Sequence, residues 1–590
     1  MSDFIIGIDL GTTNCALSFV DLREEEASIE PFEIEQLVAA GESLARLTLP
    51  SFLLLPTETE VPSKGMSLPW SDKMASCVGI FARERGAEIP HRLVSSAKSW
   101  LSNQQIDRNE AILPWRGEDD DFESGESISP VDASAKYLQH LSAAWMHSME
   151  TPMEDQEIYI TVPASFDASA RQATAEAADK AGFTNVTLME EPQAAFYSWL
   201  EQSDDAWRKT LQPGDVALVC DIGGGTSDFS LITAENDGQG NLGLERIAVG
   251  EHVLLGGDNM DLMLSYVVKA KLGEKAKKLS SSQERALVQN CRHAKETLFN
   301  NPKKIKVPIT ILGSGSKLIG GTIKSDVTQE DLEKLTLGFF PPCKLSDSPK
   351  RKNQTGLREV GLPYASDPAI TKHLASFLSK HEKLPNKVLF NGGVMSSPSL
   401  QEHLLGVLKS WAPTIDVLSG TQLDLAVAQG AAYYGLVKQG NGIRIKGGTA
   451  RSYYVGIESS MPAIPRFEPP LKAMCVAPFG MEEGTHEDLP DEELGFVVGE
   501  PTTFRFFSST HRQEDSVGEV VDPSEADLLE MAPVETHLKP SKDAKNGEMV
   551  PVYLASHVTE VGTLELFGYH KNGNAKWKLE YSIREEEANP

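Results

Sequence analysis

Cysteine is scarce in this chain: six in 590 residues, at positions 15, 77, 220, 291, 343 and 475, with none at C-x-x-C spacing. That excludes a zinc ribbon and a disulfide framework, and it fits a reducing cytoplasm. Long apolar runs are missing too. None approaches the roughly 20 residues that a spanning helix needs, so a membrane bundle is excluded. The opening MSDFIIGIDLG lacks a basic n-region and enters an apolar run at once, so no secretion signal is expected. Basic residues are outnumbered, 55 Lys and Arg against 85 Asp and Glu, for a net charge of −30. Such a surface repels phosphate backbones, which argues against a nucleic-acid partner. What is present, 40% hydrophobic and 24% charged residues, is an ordinary globular composition. At roughly 150 residues per domain, the length predicts about four structural units.

Internal repetition organises the first three quarters of the chain. FIIGIDLGTTNCALSFV (4–20) and DVALVCDIGGGTSDFSLIT (215–233) each read as an apolar run, an Asp, a Gly/Thr turn and a second apolar run. Apolar runs bounded by glycine are buried strands, so each segment predicts a hairpin. A domain built twice on one plan, with the two turns facing each other, is the simplest account. Cys15 and Cys220 fall inside these segments and read as small apolar core residues rather than redox groups.

Helices with usable caps follow. Ser129–Pro130–Val131–Asp132 opens one, with Val131, Ala135, Leu138, Leu141 and Trp145 on one face. Asp167 starts a second, whose Ala173, Ala177 and Ala181 allow close packing and which Gly182 ends. Asp367–Pro368 and Ser397–Pro398 open two more. Strands alternating with helices predict an α/β architecture. The texture changes near Gly440, where GNGIRIKGGTA holds four glycines in eleven residues, a hinge signal. Beyond it SYYVGIE, FVVGE, TFRFFSS, VPVYLAS, GTLELFGY and WKLEYSI have strand character and predict a compact β-sandwich, with SEADLLEMA the best of a few weak helical stretches. The acidic insertions at 117–127 and 481–493 read as solvated loops.

The chemistry lies in the turns Asp9–Leu10–Gly11–Thr12–Thr13 and Asp221–Ile222–Gly223–Gly224–Gly225–Thr226–Ser227–Asp228. Glycines without Cβ let backbone N–H groups approach an anion, and threonine hydroxyls add donors. An Asp ahead of each turn can hold magnesium through water, since that ion prefers hard oxygens. No GxxxxGK[ST] is present, and both turns lead into strands rather than helices, so neither a Walker site nor a dinucleotide site is expected.

IIGIDLGTTN, VCDIGGGTSDFSL, ITVPASFDASARQATAEAADKAGF and EEPQAA together resemble the seventy-kilodalton heat-shock protein family, the DnaK-like molecular chaperones. LLGGD (254–258), FNGGV (390–394) and LAVAQGAAYYG (425–435) add to the resemblance. It covers about residues 4–440 and implies an actin-like ATPase fold of duplicated ribonuclease-H-like halves. The expected organisation is a two-lobed nucleotide-binding domain over 1–440, a linker over 441–450 and a β-sandwich substrate-binding-like domain over 451–590 without a helical lid. The resemblance implies ATP or ADP with Mg2+ as cofactors. Thr12 and Thr13, with Gly11, Gly223, Gly224, Gly225, Gly256 and Gly257, would hold the phosphates. Asp9 and Asp221 would orient hydrated magnesium. Lys98, in SSAKSWL, would place the attacking water and the γ-phosphate. Glu191 looks like its acidic counterpart, Thr226 like a γ-phosphate contact and Asp228 like a further anchor. Lys295, Gly392, Gly393 and Asp424 would serve the nucleoside end, and Pro163 with Arg171 resembles the family's switch pair. Such a set suits phosphoryl transfer, in which positioning and charge neutralisation supply most of the catalysis.

The chain also departs from the family. Its E-x-x-K helix aligns with Arg292–His293–Ala294–Lys295, retaining only the lysine, and the arginine expected after the GG pair is Ser396. Weaker adenine affinity or relaxed base selectivity is expected. The linker is basic and lacks the family's leucine run, which predicts weak coupling between nucleotide and peptide. The leading expectation is a cytoplasmic ATP-dependent chaperone for unfolded or extended polypeptide, with a J-domain co-chaperone and a nucleotide exchange factor as implied partners. The alternatives are a non-cycling nucleotide-bound holdase or exchange factor, and a small-molecule kinase, which lacks an evident acceptor-site Asp.

Overall fold

The computed structural model describes residues 2–582 apart from 26, 104, 116–126, 167, 237–241, 252, 312–321, 351–360, 447–448, 450, 459–469, 483, 491–493, 510–511, 513, 525, 527, 532, 539–546, 560–562 and 572–574. The chain divides into two compact units, residues 1–244 with 249–444 and residues 245–248 with 445–590.

The first unit holds two sheets of one plan. In the first sheet, Phe4–Leu10 runs antiparallel to Asn14–Asp21 and parallel to Glu157–Val162, which is parallel to Val186–Glu190. In the second, Val216–Ile222 runs antiparallel to Ser227–Asn236 and parallel to Lys387–Asn391, itself parallel to Asp416–Val417. The helices repeat as well. Ala168–Lys180 and Pro398–Trp411 link the two parallel strands of each sheet, and Glu191–Ser203 and Ala426–Lys438 follow the last strand of each. In Phe4–Leu10 every residue except Asp9 is buried, because covered sheets demand apolar residues on both faces.

The helix starts obey local chemistry. Ser129 Oγ accepts the Asp132 N–H at 3.0 Å, and Pro130 sits where its missing N–H costs nothing. Val131, Ala135, Leu138, Leu141 and Trp145 are all buried on that helix. Gly182, at φ 96°, follows Ala168–Lys180 in the left-handed conformation that a helix end needs. The expected cap Asp167 lies outside the described residues, as do most of 117–127 and parts of 441–450 and 481–493.

His140 is buried on the helix Pro130–Met149, where its Nε2 donates to Glu35 O at 3.0 Å. Burial lowers its imidazole from 6.5 to about 4. The folded value lies below the unfolded one, so the contribution of the neutral ring is complete above pH 6.5 and is lost as pH falls through about 4. His140→Gln is expected to flatten the acid side of the stability profile by about 3 kcal/mol over that window. Urea titrations of both proteins at pH 7 and pH 4.5 check this, and equal pH slopes would overturn it.

The second unit is strand-built. Leu471–Ala477 pairs with Ser452–Glu458, which pairs with Phe506–Ser509. Glu548–Val558 pairs with Leu494–Val498 and with Thr563–His570, which continues to Lys576–Ser582. Val455, Met474, Val476 and Phe506 from the first sheet share one apolar cluster with Phe496, Val552, Leu554, Leu566 and Leu579 from the second. The stretch 524–532, read as weakly helical, holds no helix among its described residues, and Leu529–Glu530 is a short strand beside Phe507 and Ser508. No helix among the described residues of the chain is long and apolar enough to cross a membrane.

Candidate functional site

Asp9 and Asp221 are each the penultimate residue of the leading strand of their hairpin. Leu10 pairs with Cys15 and Ile222 with Ser227, which leaves Gly11–Thr13 and Gly223–Thr226 as turns. Ser51 anchors the first turn, its N–H donating to Thr13 O at 2.8 Å and its Oγ to Gly11 O at 2.6 Å. In the second turn Gly223 N–H donates to Thr226 O at 2.9 Å. Cys15 and Cys220 are buried free thiols beside these turns, and burial pushes Cys15 up to about 12, so it is inert at neutral pH.

The two turns face each other. A Cβ on Gly224 would fall 2.1 Å from Thr13 Oγ1, and one on Gly225 would fall 2.4 Å from Ser99 Oγ and 3.1 Å from Thr12 Oγ1. A Cβ at either position would displace a facing hydroxyl, so the glycines let the hydroxyls of the first hairpin and of Ser99 stand close against the second turn. Gly256 and Gly257 close one wall: Gly257 N–H donates to Gly223 O at 3.0 Å and Asp258 N–H to Gly224 O at 2.8 Å. Gly392, at φ 85°, closes another, since a Cβ there would meet Asp221 Oδ1 at 2.5 Å. A Cβ on Gly393 would stand in open space.

Behind the turns lies a buried cluster of acids. Lys98 is 5% exposed and its Nζ donates to Glu191 Oε1. Asn391 Nδ2 donates to Asp221 Oδ2 at 2.8 Å, and Ser165 Oγ donates to Asp228 Oδ1. Burial raises Asp9 from its ordinary value, and the Lys98 charge opposes that rise. Burial also pushes Glu191 up to about 7 and raises Asp221 well above its ordinary value, helped by the neighbouring Glu191 charge. For Lys98, burial works against the charged form, but the charges of Glu191 and Asp9 outweigh it and raise the ammonium. Asp424 is exposed and reaches Asp9 through its charge.

At the wall formed by Gly256 and Gly257, Lys295 Nζ donates to Gly257 O at 2.8 Å and pairs with Asp261 at 2.7 Å. Arg292 Nε donates to Asp261 Oδ2 at 2.8 Å, and its second arm pairs with Asp258. Ser96 Oγ reaches Asp258 Oδ2 at 2.5 Å, which ties the segment before Lys98 to this network. The sequence departure at Arg292 therefore has a structural partner set: the added cation is neutralised by two acids of the helix Gly257–Leu272.

Arg171 is 1% exposed, donating to Phe166 O at 2.9 Å and pairing with Glu190 at 3.0 Å, so it is an interior residue of the helix Ala168–Lys180. Pro163 is buried at the end of the strand Glu157–Val162. Sequence reasoning missed Asn391, Ser165, Ser96 and the acids Asp258 and Asp261. Asn391, Ser165, Ser96 and Asp258 lie inside the motifs FNGGV, ITVPASF, SSAKSWL and LLGGD, and Asp261 lies just beyond the last, but their roles were hidden because each contact joins segments far apart in sequence.

Three observations test whether this space fits a magnesium-bound polyphosphate. Its walls are glycines that a Cβ would block. Ser99 Oγ and Asn391 Oδ1 are buried polar atoms without a partner. Its acids exceed its cations, which suits a hard divalent ion. Among the described residues, no three His, Cys, Asp or Glu groups converge closely enough to hold a bare metal, so an ion there would keep water between itself and Asp9 or Asp221.

A family model described as Hsp70 protein matches residues 70–346. The chain is also similar to proteins named "Chaperone protein HscA homolog". It is 27% identical to the one from Pseudoalteromonas atlantica over 359 residues, 59% of this chain and 50% of that protein. It is 29% identical to one from Burkholderia orbicola over 348 residues, 58% of this chain and 48% of that one. For Vibrio cholerae serotype O1 the figures are 30% over 353 residues, 58% and 47%. The chain thus spans about half the length of the curated relatives it matches. The facing glycine turns, the buried Lys98–Glu191 pair and these matches lead to one conclusion: over the part they cover, the chain is similar to Hsp70 proteins and to HscA-type chaperones.

Proposed function

We propose that this chain is an ATP-binding, magnesium-dependent ATPase of chaperone type. The observation that carries the reading is the juxtaposition of two Asp-led glycine turns over a buried acid cluster containing Lys98. Gly223, Gly224, Gly225, Gly256 and Gly257 leave room for phosphates, and Thr12, Thr13 and Thr226 supply hydroxyl donors. Asp9 and Asp221 orient the water shell of magnesium, whose charge, when bound, neutralises the phosphate oxygens. Lys98, held by Glu191, stabilises charge on the outer phosphoryl group, and Glu191 keeps that ammonium in place. Lys295 and Gly392 belong to the nucleoside end. The duplicated strand order supports two lobes with nucleotide between them, and the shared apolar cluster of the second unit supports a β-sandwich. That second unit would hold extended apolar polypeptide, with a J-domain protein and an exchange factor as partners.

Arg292 is paired with Asp258 and Asp261 and Lys295 with Asp261, which supports the weaker nucleoside binding expected from the sequence. Calorimetry on the full chain decides whether nucleotide binds at all. Mg–ATP and Mg–ADP are expected to bind, and at a hundredfold excess over Kd to raise stability by about 2.7 kcal/mol. Absence of uptake for both nucleotides would overturn the reading. Steady-state hydrolysis with and without an unfolded peptide then separates an ATPase from a holdase.

A further inference from the structure

The residue after Lys98 lines the space between the turns, but no contact of its own has been assigned to it. Ser99 is 3% exposed on the short helix Ala97–Leu101. Its backbone is fully engaged, the N–H donating to Ser96 O at 3.0 Å and the carbonyl accepting Ser102 Oγ at 2.9 Å. Its own hydroxyl has no partner. A helical serine commonly bonds back to the carbonyl four residues earlier, but here that residue lies before the helix begins. Burying an unpaired hydroxyl opposes folding, so its retention calls for a reason outside the protein's own contacts.

The hydroxyl's direction supplies the reason. Ser99 Oγ and Thr12 Oγ1 converge on the same point above Gly225, at 2.4 and 3.1 Å from where its Cβ would stand. Thr13 Oγ1 lies against the adjacent Gly224 in the same way. Three hydroxyls from the first half therefore line the glycines of the second turn, and Ser99 is the one beside Lys98. The helix is held in place from both ends: Ser96 takes a left-handed conformation (φ 55°, ψ 31°) and its hydroxyl is bonded to Asp258, while Trp100 and Leu101 are buried.

We infer that Ser99 is a phosphate-binding residue whose hydroxyl donates to an oxygen of the outermost phosphoryl group, so that it favours nucleoside triphosphate over diphosphate. The inference rests on the proposed nucleotide site and adds a residue and a specificity to it. An O–H donor to an anionic phosphate is a charge-assisted bond, stronger than a neutral one.

Ser99→Ala in the full chain, titrated with Mg–ATP and Mg–ADP by calorimetry and melted without nucleotide, tests this. Affinity for Mg–ATP is expected to fall about tenfold (about 1.4 kcal/mol), with Mg–ADP changed by less than about twofold. The nucleotide-free melting temperature should equal or exceed that of the wild type, because an orphaned buried hydroxyl has been removed. Unchanged ATP affinity, or equal losses for ATP and ADP, would overturn the assignment, as would a lowered melting temperature with both affinities intact. If the unsubstituted chain binds neither nucleotide, the proposed function itself fails. If it binds both and Ser99→Ala changes nothing, only the role of Ser99 fails.

Discussion

Lys98→Ala is expected to lower ATP hydrolysis by at least about 100-fold while nucleotide binding stays measurable. The reason is electrostatic. Burial raises Asp9, Glu191 and Asp221, the charges of Asp9 and Asp228 add to the rise at Glu191 and Asp221, and among the described residues Lys98 is the cation whose charge opposes the rise at both Asp9 and Glu191. In a site this dry, a positioned ammonium acts on developing charge with little screening. Binding survives because the glycine turns and the threonine hydroxyls remain. Glu191 already sits at about 7, so on losing its partner it takes up a proton rather than standing as a bare buried charge. Single-turnover hydrolysis and calorimetry on the same protein give both readouts. Hydrolysis at the wild-type rate would remove Lys98 from the mechanism.

Gly430→Ala is expected to cost on the order of 4 kcal/mol or to prevent folding. Gly430 lies on the helix Ala426–Lys438, and a Cβ there would fall 1.7 Å from Ala194 O on the helix Glu191–Ser203. The obstacle is backbone, which no rotamer change relieves. On another side, a Cβ on Gly7 of the strand Phe4–Leu10 would fall 2.2 Å from Ala428 O. The helix is therefore in backbone contact with the helix that begins at Glu191 and with the strand that carries Asp9, so widening either crossing displaces the acid cluster. Gly406→Ala is the control: it sits within the helix Pro398–Trp411 with open space where the Cβ would go. That change should stabilise by roughly 0.5–1 kcal/mol through helix propensity alone. Thermal melts of both variants check the pair, and equal melting temperatures would overturn the packing argument.

The contrast between Gly430 and Gly406 marks a limit on reading the chain. Both are glycines in apolar helical patterns, and their neighbours in sequence do not tell them apart. LAVAQGAAYYG was legible as a motif, but the purpose of its Gly430 became visible only at the crossing with Ala194. Lys98 and Arg171 show the same limit. By residue type each belongs at the surface, yet both are interior because acids from segments far along the chain, Glu191 and Glu190, stand beside them. Arg292 was legible as a departure from the family pattern, whereas its neutralisation by Asp258 and Asp261 was not.

Local chemistry was readable without coordinates. The hairpins follow from apolar runs broken by Asp and Gly, and the helix after Ser129 from a side chain that caps an exposed N–H. The strands beyond 450 follow from alternation that buries one side. These depend on forces acting within a few residues, so the order of residues contains them. The tertiary structure alone decided which turn faces which, where Ser99 points, and which acids share one cation. Those outcomes depend on sheets and helices packing across separations of a hundred residues or more, where burial, rather than neighbouring residues in the chain, sets the charge and partner of each group.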